Sequence, residues 1–178
     1  MNCRRMRTTI LVAVLLGASA GGLSAQEKYS LKVPGGLAFS EFRGYESWQL
    51  VSISQDGPLI AAILANPVMI AAYKAGIPAK GKAFPDGARM AKVHWVPAKM
   101  QVFPAATVPG GQHDVDFMVK DSKRFGDSGG WGYAVFEYDS ASGKFRPGTT
   151  ADQPPQQNDA RCGPSPSKVD IVVPSRTS

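Results

Sequence analysis

The sequence predicts a mainly β (α+β) fold, a single domain with an antiparallel sheet and a few short helices. Three observations predict it. The stretches "SWQLVSIS", "ARMAKVHW" and "DVDFMVK" carry the period-two alternation of half-buried strands. The stretch "GGWGYAVFEYD" leads through "SASGK" into a hairpin partner at Lys144 to Arg146, the signature of antiparallel pairing. Of the 178 residues, 153 remain once a 25-residue leader is set aside, a length that suits one domain with a real core.

The leader is the first element. Arg4, Arg5 and Arg7 precede the apolar run Ile10 to Leu16, and small residues follow up to "GLSAQE". That order predicts a secretory signal peptide over residues 1–25, cleaved after Ala25 with Ala20 as the competing site; the apolar run is too short to span a bilayer. The domain then occupies 26–178. Without the leader's three arginines the formal charge falls from +6 to +3. No dense Lys/Arg run remains, which argues against nucleic-acid binding.

"SWQLVSIS", Ser47 to Ser54, is the first strand. In "LIAAILANPVMIAAYKAGIP" the punctuation is clearer than the periodicity. Asn66 can cap a helix, Pro67 suits its first position, Gly76 can end it and Pro78 stops it, so a helix is expected from Pro67 to about Ala75. The apolar residues before Asn66 fit strand or helix. In "KGKAFPDGARMAKVHW" a turn at Pro85-Asp86-Gly87 leads into a run in which Arg89, Ala91, Val93 and Trp95 alternate with Met90, Lys92 and His94. A strand would place Lys92 and His94 on one face.

"GQHDVD" brings His113, Asp114 and Asp116 close together. A turn is the expected reading rather than a metal site, because alternation in the adjacent strand separates His113 from Asp114. In "DVDFMVK" Val115, Phe117 and Val119 share a face. The pairs Gly110-Gly111 and Gly129-Gly130 lack the strand-to-helix setting of a nucleotide loop. From Pro147 to Pro166 the composition turns to Pro, Gln, Thr, Asp and Gly, which predicts a loop (147–166) without a packed element. Val169 to Val173 is a brief strand-like run.

Cys3 leaves with the leader, so Cys162 is the single thiol of the mature chain and no intramolecular disulfide is available. An intermolecular bridge, a reactive thiol and the remnant of a cofactor-attachment site all remain open. Arg161 is adjacent, but no Cys–His arrangement is legible, and a Pro/Gly loop is a poor platform for a positioned nucleophile.

"ANPVMIAAYKAGIP", "GKAFPDGARMAKVHW", "VKDSKRFGDSGGWGYAVFEYD" and the Cys162 region together resemble the cytochrome P460 family of exported bacterial c-type cytochromes. The resemblance runs from about Gly35 to Val173. It implies a mainly antiparallel β domain, usually a homodimer, in the periplasm. It also implies a five-coordinate haem c that oxidises hydroxylamine or captures related small nitrogen ligands. That haem is held by a C-terminal Cys-x-x-Cys-His motif and by a lysine cross-linked to the porphyrin, five residues after the end of a Phe-x-Asp-Gly turn. Phe84, Asp86 and Gly87 make that turn, and Lys92 stands at the lysine's place; by pattern alone it is a solvated strand lysine. Asp170 and the apolar Ile171 to Val173 align Cys162 with the second cysteine of the motif. Asp159 then replaces the first cysteine and Gly163 the histidine.

The expectation is therefore a periplasmic domain of this type that carries no covalent haem and is inactive as an oxidoreductase. The competing expectation is an active haem protein using Cys162, Lys92 and a substitute axial ligand such as His94 or His113.

Overall fold

Each alternating run pairs with the next one along the chain. The structure, a computed structural model, describes residues 27–34, 37–78 and 81–148. Six strands form one antiparallel sheet in the order of the sequence: β1 (Gln49–Asp56), β2 (Leu59–Ala65), β3 (Arg89–Lys99), β4 (Thr107–Lys120), β5 (Trp131–Asp139) and β6 (Lys144–Pro147). Among the described residues one α-helix, α1 (Pro67–Lys74), leaves β2, and single 3-10 turns occupy Lys28–Ser30, Phe39–Phe42, Tyr45–Ser47 and Gly126–Ser128. The predicted class is the one observed.

Alternation divides the core between the two faces of the sheet. On one face Ala91, Val93, Val115, Phe117, Val119, Ala134 and Phe136 meet Phe39, Phe42 and Tyr45 from the N-terminal turns. Phe42 stacks on Phe117 with centroids 4.1 Å apart, while Phe39 meets the same ring edge-on at 5.2 Å. The edge-on contact is a favoured aromatic geometry. On the other face Ala65, Met90, Trp131 and Tyr133 pack with Met69 and Ala72 of α1 and with Phe84 and Ala88.

The helix lies where its punctuation places it. Asn66 Oδ1 accepts the Met69 N–H, Pro67 fills the first turn, and Gly76 adopts φ +84° just past the end, as capping chemistry requires. The ambiguous run before Asn66 is strand β2, long enough for its apolar side chains to be half-buried or buried along the sheet.

Two expectations need correction. "GQHDVD" is not a turn: it lies inside β4, and Gly110-Gly111 belongs to the same strand. The β3–β4 pair continues past Trp95 because the register slips between His94 and Trp95 and again between Trp95 and Pro97, so that Pro97 comes opposite Pro109. Bulges are where a sheet tolerates residues without an N–H. Pro147, expected to open the loop, is instead the last residue of β6 and pairs with Phe136. The rest of 147–166 beyond Gly148, and the run Val169 to Val173, lie outside the described residues.

Candidate functional site

The turn that precedes β3 is tied down from three sides. Asp86 Oδ1 accepts hydrogen bonds from the Ser122 N–H (2.9 Å) and hydroxyl (2.8 Å). These bonds hold the Asp86 carboxyl below the usual carboxylate range, since donors to the charged form favour it. Gly87, at φ +86°, donates its N–H to Lys120 O at 2.8 Å, and Lys120 donates back to Ala88 O at the same distance. Asn66 closes the third side. Its Nδ2 donates to Gly87 O and its Oδ1 accepts from Arg89 N–H as well as Met69 N–H. The start of β3 is thereby locked to the end of β4 and to α1, which fixes the face on which each later β3 residue falls.

The residues joined to that turn, "KDSKRFGDSGGWG", are shaped by close packing. A Cβ on Gly130 would collide with Lys120 Nζ and approach Ser122 Oγ to 3.0 Å, and a Cβ on Gly132 would overlap the Phe125 ring. Lys120 is buried, with Nζ donating to Gly129 O at 2.6 Å and lying 5.7 Å from the centroid of the Trp131 ring. Arg124 crosses to Glu41 at 2.7 Å. This stretch builds the scaffold: its two serine hydroxyls are engaged in hydrogen bonds to Asp86 and to backbone carbonyls.

Met90, Lys92 and His94 share one face of β3, as their alternation predicts: Ala91 and Val93 enter the phenylalanine core, and Met90 enters the cluster beneath α1. Lys92 is half-buried and stands opposite Ile63 on β2 and Asp116 on β4. His94, buried, stands opposite Asp114. Its Nδ1 is hydrogen-bonded to Asp114 Oδ1 and lies 3.9 Å from Asp116 Oδ2.

His113 joins the same group through the bulge. His94 faces Asp114 whereas Trp95 faces Gln112, so His113 is the extra residue on β4. An inserted residue breaks strict alternation, and His113 Nδ1 thereby reaches Asp114 Oδ2 at 2.7 Å. Burial alone would push the Asp114 carboxyl upward. The hydrogen bonds and charges of His94 and His113 outweigh it and hold the carboxyl below the usual range.

Lys92 is thus placed on a half-buried polar strip of the sheet, flanked by Met90 and His94. Cys162, Asp159 and Gly163 lie outside the described residues, so their distance from Lys92 is not part of this geometry. A cavity of about 690 Å³ opens elsewhere, between α1 and the start of β1, with Arg43, Trp48, Ile70 and Lys74 in its wall. Sequence reasoning put Lys92 and His94 together but missed the union of His94 with Asp114 and His113. The only signal in the chain was indirect: Pro97, Pro109 and the adjacent glycines are residues that bulges accommodate.

The sequence profile described as Cytochrome P460 matches residues 42–172. The chain belongs to the cytochrome P460 family. The match spans all six strands and continues through Cys162, and no curated protein sequence matches the chain. Cytochrome P460 proteins are haem proteins, so the donor set of this member can be tested against a c-type haem. Such a haem needs thiols for its vinyl groups and an axial ligand for its iron. In this cytochrome P460 chain Cys162 is the only cysteine besides Cys3, Asp159 has no sulfur and Gly163 has no side chain. These residues do not fit a covalently attached haem with an imidazole supplied by the attachment motif.

Among the described residues, no helix is long and apolar enough to cross a membrane.

Proposed function

We propose that the chain is a periplasmic cytochrome P460-type domain that carries no covalent haem, does not oxidise hydroxylamine, and uses its β scaffold as a binding module. The observation that carries this reading is the donor set around Cys162: the position of the first cysteine is Asp159 and that of the axial histidine is Gly163. An aspartate forms no thioether, and a glycine offers the iron nothing. The scaffold, by contrast, keeps both halves of its core, as a domain retained for binding requires.

Lys92 keeps its place on the strip beside His94, where the family's cross-linking lysine would be. Without an attached porphyrin it is a cation on a half-buried face, able to contact a small nitrogen-containing or anionic ligand. Export with cleavage after Ala25 and assembly as a homodimer belong to the same proposal. N-terminal sequencing of periplasmic material tests the first, and light scattering tests the second.

The deciding experiment is expression with the c-haem maturation proteins, followed by a haem-stained denaturing gel and an absorption spectrum. The expected result is a folded, exported protein with no stained band at its mass and no Soret absorption. A stained band that disappears with Cys162→Ala would overturn the reading and establish the competing one, in which Cys162, Lys92 and a substitute axial ligand hold haem.

A further inference from the structure

We propose that His94, Asp114 and Asp116 form a binding site for a first-row divalent metal ion that favours nitrogen and oxygen ligands. The three residues come from adjacent strands in fixed register: His94 is directly opposite Asp114, and Asp116 follows two residues along on the same face of β4. One ligand atom from each lies within 4.8 Å of the others. Donors held at about 2.0–2.2 Å from a common ion lie on the order of 3–4 Å from one another, so small side-chain rotations suffice.

The imidazole is the informative member. His94 is 6% exposed, and among the described residues both polar contacts of its ring are to these two carboxylates. A buried imidazole held between two carboxylates supplies the mixed N,O,O donor set that suits Zn²⁺, Mn²⁺, Fe²⁺ or Co²⁺; without a thiolate or thioether it does not select Cu⁺. Three protein ligands leave coordination positions open to water or a small ligand. His113, on the other oxygen of Asp114, acts as an outer partner that orients the carboxylate. Lys92, opposite Asp116, works against the site, because its positive charge repels any cation placed there.

The test uses the purified exported protein with Cys162→Ser, so that no thiol competes. Zinc binding is followed by isothermal titration, and Co²⁺ binding by its visible spectrum. The expected result is one ion per chain, with weak d–d bands and no sulfur-to-cobalt charge transfer. Asp114→Asn and His94→Gln should each weaken binding at least tenfold while circular dichroism shows the fold retained. Lys92→Met should strengthen it several-fold, because a positive charge beside the cation is removed. That gain is a response no loss of folding can imitate. Absence of saturable Zn²⁺ and Co²⁺ binding, or binding that Asp114→Asn, His94→Gln and Lys92→Met all leave unchanged, overturns the proposal.

Discussion

A methyl group at position 132 would occupy the volume of the Phe125 ring. Gly132→Ala should therefore destabilise the protein by about 1–3 kcal/mol, the usual cost of overpacking. Phe125→Leu in the same chain should recover part of that loss, and urea unfolding of the two single variants and the double variant would show the non-additivity. Asp86 makes a different kind of prediction. Its folded pKa lies below the usual 3.8 because Ser122 donates to it. Its contribution is therefore present above the unfolded value and is lost as pH falls through the lower folded one. Melting temperatures of the protein and of Asp86→Ala should differ near neutrality and converge once the pH drops well below 4. At this scale the sequence was only partly legible. "FPDG" announced a turn, but its bond to Ser122, 36 residues away, and the meeting of Gly132 with Phe125 exist only once the loop has closed.

Among the elements, α1 was the most legible because its signals are local: a cap, a proline and a glycine act on their own neighbours. The same cap also holds distant backbone, and that part could not be read. Asn66 bonds the Gly87 carbonyl and the Arg89 N–H besides that of Met69. Asn66→Ala should cost about 2–3 kcal/mol, more than an exposed cap, since it leaves buried backbone groups without partners. Asn66→Asp keeps the acceptor and should cost less, as chemical denaturation would record. Strand β2 stayed ambiguous because an apolar run carries no period. Strand β4 was truncated in the reading because an inserted residue, His113, defeats the two-residue period on which strand recognition depends.

For the whole molecule, class and family were legible because alternation, turn residues and several long motifs agree with one another. What a single chain could not reveal is whether the motif residues near Cys162 meet the strip that holds Lys92. Restoring the missing donors asks that question directly. Asp159→Cys with Gly163→His, expressed with the maturation proteins, should recover covalent haem, since two thiols and an axial imidazole are then present. Lys92→Ala in that background should shift the Soret band. Pro164 and Pro166 restrict the backbone beside the restored imidazole. A folded, exported double variant that stays colourless would mean that the pocket has been lost along with the motif.

Every strand of the sheet finds its partners in its immediate neighbours along the chain, and the last ladder ends at Pro147. Hairpins closed between neighbours keep the contact order low for a β protein, so the described sheet can assemble from local pairings alone. An order of events is expected from this: strand pairing first, and any cofactor capture as a later, separable event. Natural selection meets the two separately as well. On the proposed reading, a codon change at 159 or 163 would remove a haem donor while leaving every described strand pairing, the last of which ends at Pro147, intact, so a lineage could stop handling haem without passing through an unfolded ancestor.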